Sequence, residues 1–261
     1  MDGIENWFLV VALSNLIMLV IGLFLFMPKK IFKTTLSTYY KIFSSHFRYI
    51  VIIGGVVVFH LVEVNVLDPY FTNLVGVDFA SNIQLIENGL VYWFSQNWIL
   101  PLVYFLVVMY IVVYPFTLWF SPLYFLLANH KKAMKSLAYS LLLVYCIALP
   151  FYLFLPVTNV YTFYGIESPL ETVIPTINQF FYSTTTCNNC LPSLHVSMAL
   201  VIARTVSLTK NKRYTYFVYF CAISVIVSVI YLAIHWITDV ICGVALAFFV
   251  FFLQKRLIKE E

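Results

Sequence analysis

The chain has 261 residues, of which 62% are hydrophobic, 19% aromatic and only 10% charged. Soluble domains carry roughly a quarter of charged residues, so a soluble globular domain and a charged, disordered chain are both excluded. The formal net charge of +4 is concentrated in short segments between apolar runs, where it reports membrane topology and gives no reason to expect nucleic-acid binding.

A membrane span needs about 20 mostly apolar residues to cross ~30 Å of hydrocarbon. Seven windows meet or approach this, at about 7–27, 49–67, 98–120, 136–156, 193–208, 214–233 and 236–253, the last three short and closely joined. The first is preceded by Asp2 and Glu5 and no basic residue, so it reads as a retained span rather than a cleaved secretory leader. Lys29, Lys30, Lys33, Lys41 and Arg48 follow the first window, and Lys131, Lys132 and Lys135 the third. Lys210, Lys212 and Arg213 follow the fifth, and Lys255, Arg256 and Lys259 the seventh. With seven spans all four groups fall on one side, which the retention of basic loops makes cytoplasmic. The N-terminus is then outside and the C-terminus inside.

The alternate loops, about 68–97 and 157–192, hold Asp68, Asp78, Glu87, Glu167 and Glu171 and no Lys or Arg. Asp68-Pro69, Asn88-Gly89, Ser168-Pro169 and Ile174-Pro175 mark turns in them. Between Phe79 and Phe94, apolar residues at mixed helical spacing suit a segment lying along the outer interface. The expected architecture is an all-α, polytopic transmembrane bundle of about seven spans forming one integral membrane domain. Residues 1–130 make an N-terminal region of three spans and an outer loop, and residues 131–261 a catalytic membrane core.

Two short segments break the apolar pattern, Leu191-Pro192-Ser193-Leu194-His195 and His235-Trp236-Ile237-Thr238-Asp239. The topology puts both at the outer face. Asp239 follows His235 by four residues, so on a helix the two side chains share a face. A carboxylate there can accept one imidazole N–H and raise the basicity of the other ring nitrogen, as a nucleophile or general base requires. Ser193 sits where a helix would begin, after Pro192, a residue suited to a first turn. Free backbone N–H groups at that start form an anion site, with His195 beside it to protonate a departing oxygen. Ionisable groups within spans are costly and usually functional, which favours this reading over two ordinary interfacial histidines.

The pattern P-S-x-H followed some forty residues later by H-x-x-x-D resembles the type 2 phosphatidic acid phosphatase superfamily, through Pro192, Ser193, His195, His235 and Asp239. The texture around Pro192-Ser193-Leu194-His195 and Tyr231-Leu232-Ala233-Ile234-His235 looks most like the inositol phosphorylceramide synthase-like branch of lipid phosphotransferases, over about residues 130–253. The resemblance implies a six-span core, here with one extra span, and a metal-free reaction with no cofactor. His235 attacks phosphorus to form a phosphohistidine, Asp239 orients it, and His195 protonates the leaving alcohol. Water or a second alcohol then takes the phosphoryl group. The substrate would be a phosphorylated membrane lipid, handled at the extracytoplasmic side of the bilayer.

Two family features are missing. Ser228 matches the third motif, but Val229 stands in place of its Arg, and the first motif, Lys followed by Arg-Pro, is absent. Phosphate charge then falls to neutral donors, Ser193, Asn188, Asn189, Tyr182 and Thr186, or to Arg204, which lies nine residues into the fifth window and is expected to snorkel inward. Such a site suits transfer or a diester better than a highly charged monoester. His60 and Glu63 share a helix face and either border the same cavity or satisfy each other. Cys187 and Cys190 stand in an outer loop where a disulfide can persist, and Tyr161 and Tyr164 are further candidates to touch a headgroup. The rival readings are a metal-dependent hydrolase with His195, His235 and Asp239 as ligands, and a non-enzymatic transporter using the same groups as a proton relay.

Overall fold

An apolar run in lipid has no water to satisfy its backbone, so it must close its own hydrogen bonds as a helix. The computed structural model describes residues 2–174, 177–182 and 184–257, and all of its long elements are helices. Pro175 of the Ile174-Pro175 turn and Lys259 lie outside the described residues. Six helices are long and apolar enough to cross a membrane, and the chain is an integral, multi-pass membrane protein. They are α1 (Asp2–Phe26), α2 (Leu36–Val75), α3 (Leu100–Leu127), α4 (Lys131–Phe154), α6 (Lys212–Tyr231) and α7 (Ile237–Leu257). Between them α5 (Leu194–Ser207) has 14 residues, about 21 Å at 1.5 Å per residue. The fifth window is therefore a short helix inside the bundle. It is packed by α4, α6 and α7, with Val196, Ala199, Val201, Ile202 and Val206 buried.

α2 is much longer than its expected span. Its 40 residues reach about 60 Å, twice the hydrocarbon thickness. The segment holding Lys41 and Arg48 is thus helix rather than loop. At the other end the expected turn at Asp68-Pro69 is replaced by a π-helical step over Glu63–Leu67. The Asp68 N–H donates to the Glu63 carbonyl, and Pro69 falls in the first turn of the next α-helical stretch, where a missing N–H costs little. The helix stops at Gly76, whose φ of 64° is cheap only for glycine. α3 repeats the device, with a π-step over Met109–Val113 followed by Pro115.

The other outer segments are short helices. Ala80–Glu87 and Leu90–Ser95 are separated at Asn88 and Gly89, both left-handed, as the turn signal implied. Ala80, Ile83 and Val91 face inward while Leu85 and Ile86 project outward, as an interfacial segment would. Val157 pairs with the 187–190 loop, its N–H donating to the Asn188 carbonyl (2.7 Å) and its carbonyl accepting from the Cys190 N–H (3.3 Å). This pins the loop that leads into α5. α1 is peripheral and mostly uncovered. It meets α3 where Gly22 lets Phe116 and Phe120 approach to within 2.9 Å of the position a Cβ would take.

Candidate active site

The site is built at the crossing of α5 and α7. Ser193 is the N-cap of α5, its Oγ accepting from the Val196 N–H (3.5 Å), a role for which serine is well suited. Its own N–H donates to the backbone carbonyl of Asp239 (3.0 Å), tying the start of α5 to the first turn of α7. Small residues permit the approach. Ser197 Oγ donates to the Gly243 carbonyl (2.8 Å), and a Cβ on Gly243 would lie 2.6 Å from the Ser193 carbonyl oxygen. Ser193 is fully buried, so it shapes the helix start and does not present its side chain openly.

On this frame the two histidines converge. Their ring centroids are 5.8 Å apart. His235 Nδ1 lies 3.3 Å from Asp239 Oδ2, which also accepts from the Trp236 N–H (2.9 Å). Asp239 is fully buried, and among the described residues its Oδ1 has no hydrogen-bond partner. The backbone turn and the imidazole thus share one carboxylate oxygen. Thr238 N–H, in the same first turn of α7, donates to Glu87 Oε1 (2.6 Å). That places a carboxylate at the positive end of the helix, a contact that the reading of Glu87 as a mere loop acid did not anticipate.

His195 faces a wall of tyrosines. Its Nε2 is hydrogen-bonded to Tyr110 Oη at 3.0 Å, and the Tyr114 ring centroid is 5.7 Å from its own. Tyr152 donates to the Pro192 carbonyl (2.7 Å), steadying the turn before Ser193. None of these tyrosines stood out in the sequence. The only signal available was their position in spans with interior prolines, Pro115 and Pro150.

Of the expected neutral phosphate donors, Asn188, Asn189 and Tyr182 have protein partners. Asn188 Nδ2 donates to Thr72 Oγ1 (2.7 Å) and Asn189 Nδ2 to Glu63 Oε1 (2.6 Å), so both amides anchor the loop instead of facing the histidines. Tyr182 receives a bond from Asn159 Nδ2 (2.9 Å) and is hydrogen-bonded to the Tyr161 hydroxyl. Burial pushes its phenol up from the ordinary range, so it keeps its proton at neutral pH and remains a donor. Thr186 Oγ1 is buried beside Asp68, with no partner within hydrogen-bond distance among the described residues. Tyr164 stacks on Tyr92 at 4.3 Å. Arg204 is exposed and bonds Ser207 toward the other end of α5, away from His195, and Val229 is fully buried.

His60 and Glu63 form a satisfied network. Glu63 is 1% exposed and accepts from Tyr145 Oη (2.8 Å) as well as Asn189. His60 Nδ1 is 2.7 Å from the same phenol, and its Nε2 is 3.2 Å from the Thr184 carbonyl. A cavity of about 530 Å³ opens beside this network, lined by Asp68, Thr72, Asp78, Thr158, Cys187 and Asn188 among others. It includes none of His195, His235 and Asp239, and its two carboxylates make it unsuitable for phosphate.

Cys187 and Cys190 are free thiols. Cys187 is exposed, and Cys190 is buried with its Sγ 3.8 Å from the carbonyls of Cys187 and Ile234. Among the described residues, the group able to share a metal ion is Cys190, His235 and Asp239, with ligating atoms within 4.8 Å of one another. It is not the His195 trio that the hydrolase alternative named. Burial pushes the Cys190 thiol up from its ordinary range.

Comparison with curated proteins and with solved structures gives no match. The family model of the PAP2 superfamily matches residues 72–253. That match begins well upstream of the resemblance at about 130–253 and takes in α3 with its tyrosines. The chain therefore belongs to the PAP2 superfamily, a membership that points to phosphatase- or phosphotransferase-type chemistry on a phosphorylated lipid in a membrane.

Proposed function

We propose that the chain is a lipid phosphotransferase or phosphatase that works through a phosphohistidine on His235, at the extracytoplasmic leaflet. The observation that carries this reading is the convergence of His195 and His235, 5.8 Å between ring centroids, with Asp239 Oδ2 on Nδ1 of His235. With Nδ1–H donating to the carboxylate, the Nε2 lone pair attacks phosphorus and the bond from phosphorus to the leaving oxygen breaks. The leaving oxygen takes a proton from protonated His195. Water or a second alcohol then attacks the phosphohistidine and gives its proton to neutral His195. The P–N bond breaks, and both histidines return to their starting states.

Ser193 contributes through the helix start it caps, whose N–H groups meet the phosphoryl oxygens. Tyr182 is a neutral donor at the approach, and Asn188 and Asn189 act by holding the loop. The absence of a nearby Lys or Arg among the described residues favours a singly charged phosphodiester over a dianionic monoester. It also supports transfer to an alcohol, as in the inositol phosphorylceramide synthase-like branch. The extracytoplasmic side is supported by the basic segments, which in the seven-span reading all fall on the side opposite the two motifs.

The test compares purified wild type with His235→Ala and His195→Ala on phosphatidic acid, a monoester, and phosphatidylinositol, a diester, with and without chelator. Loss of turnover by at least about a thousandfold in His235→Ala, unaffected by chelator, is expected. Retained turnover in that variant would falsify the phosphohistidine, and loss on chelation with recovery on zinc would install the metal reading. Vigorous monoester hydrolysis without transfer would overturn the substrate assignment.

A further inference from the structure

We propose that Tyr110 is a positioning residue that holds His195 in its proton-donating orientation, an inference that rests on the general-acid reading of His195 above. Three observations carry it. Tyr110 is 2% exposed, so its hydroxyl must find a partner inside the protein, and the partner is His195 Nε2 at 3.0 Å. The two rings also pack, with centroids 5.1 Å apart, so the phenol restrains both the tilt of the imidazole and one of its nitrogens. Finally, Tyr110 lies on the π-step of α3, Met109–Val113. One extra residue in a helical turn rotates the following side chains by about 100° at 3.6 residues per turn, and such steps are found preferentially at functional sites. Phe181 braces the ring from the other side at 5.8 Å.

The consequence is a fixed division between the two ring nitrogens. In protonated His195 both nitrogens are donors, so Nε2–H is given to Tyr110 Oη, and Nδ1 is the nitrogen that exchanges a proton with the leaving oxygen, leaving the remaining proton on Nε2. Tyr110 neither gains nor loses a proton. It keeps the correct nitrogen presented, a task a second side chain commonly performs for a working histidine.

Tyr110→Phe removes one oxygen and keeps the ring. The experiment measures it beside His195→Ala and wild type on two substrates. One is hexadecyl 4-nitrophenyl phosphate, whose nitrophenolate departs with little need of a proton. The other is the phosphatidylinositol or phosphatidic acid that the wild type turns over, whose alkoxide needs one. Tyr110→Phe is expected to lose about tenfold to a hundredfold in kcat on the alkyl ester, within the range general acid catalysis supplies, with KM and thermal midpoint held. On the nitrophenyl ester it should lose less than about threefold. His195→Ala should show the same selectivity, and more of it.

Selective loss in His195→Ala without selective loss in Tyr110→Phe overturns the positioning role and leaves the general acid standing. Equal loss on both substrates in single-turnover cleavage by His195→Ala, a measurement that excludes the later step in which neutral His195 acts as base, overturns the general-acid reading itself. A second measurement does not depend on turnover. In protein labelled with nitrogen-15 histidine, the His195 ring should carry its proton on Nε2 in wild type and lose that preference in Tyr110→Phe. An unchanged tautomer overturns the inference.

Discussion

The crossing of α5 and α7 and the paired π-steps of α2 and α3 serve the same site by opposite means. At the crossing, small residues let two regular helices approach until Ser193 lies against Gly243, with His195 in the first turn of α5, Asp239 in the first turn of α7 and His235 in the turn just before it. In α2 and α3 the helices are irregular, and the irregularity delivers Glu63 and Tyr110. The crossing holds the groups proposed to react, while the π-steps hold the groups proposed to keep them in place. A change at the crossing should therefore reach the reaction directly, and a change at a π-step should reach it through geometry.

The largest effect expected is that of Asp239→Asn. The amide oxygen can still accept from the Trp236 N–H, so the turn stays formed, but the carboxylate that fixes the His235 tautomer is gone. Turnover should fall about a thousandfold or more, as for other histidines deprived of a carboxylate partner, with an unchanged thermal midpoint. A fall of less than tenfold in steady-state turnover would remove Asp239 from the reaction.

Next comes Glu63→Ala, which tests the other region. It strands the Asn189 amide, at about 1–3 kcal/mol for an unsatisfied group, while the Tyr145 hydroxyl keeps His60 Nδ1 as its partner. Chemical denaturation in detergent should register that loss, and turnover should drop about tenfold as the 187–190 loop loses its anchor. Glu63→Gln, which keeps an acceptor, should recover most of both. If Glu63→Ala loses stability while the remaining folded protein keeps full turnover, the network is a structural brace and α2 makes no contribution to the site. Glu63 lies outside residues 72–253, so this variant also asks whether the family-matched region suffices for activity.

The two regions differ just as much in how they could be read from sequence. His235 and Asp239 are neighbours in pattern, and the spacing of four brings them together even though His235 lies in the turn just before α7. Glu63 and Tyr110 are not, because a π-step changes the register at a point that hydropathy does not mark. Pro69 and Pro115 follow the steps closely and are a visible hint. Yet Pro122 and Pro150 sit in uninterrupted α-helix, so proline alone does not locate a step. The same limit explains α5, whose composition does not give away that its helix has only 14 residues, and α2, whose polar ends hide the length of its helix. The chemistry of Asn188 and Asn189 suits a phosphate, but which partner each amide takes is decided by α2, a helix more than a hundred residues away in the chain.

Gly243→Ala probes the closeness of the crossing. Its Cβ would meet the Ser193 carbonyl at 2.6 Å and the Ser193 Cβ at 3.3 Å, and backbone cannot swing aside as a side-chain end can. Overpacking of this kind costs about 1–3 kcal/mol, which should appear as a lower unfolding midpoint together with reduced turnover, since the capped start of α5 has to shift. Gly243→Ala with a wild-type midpoint would mean that the two helices have room to spare.

The smallest effect belongs to Gly55 in α2, where an added Cβ meets nothing within 4 Å. Here alanine only removes backbone freedom from the unfolded chain, and a helix-interior glycine gives up about 0.5–1 kcal/mol relative to alanine. Gly55→Ala should therefore raise the unfolding midpoint slightly and leave turnover unchanged, the opposite sign to Gly243→Ala. Gly54 beside it is equally open, and adjacent small residues are what helices in lipid use to approach one another. A lowered midpoint in Gly55→Ala, dependent on protein concentration, would show that this face is covered by a second copy rather than by lipid. The contrast between a crowded glycine at the crossing and an open one in α2 would then separate contacts within one chain from contacts between chains.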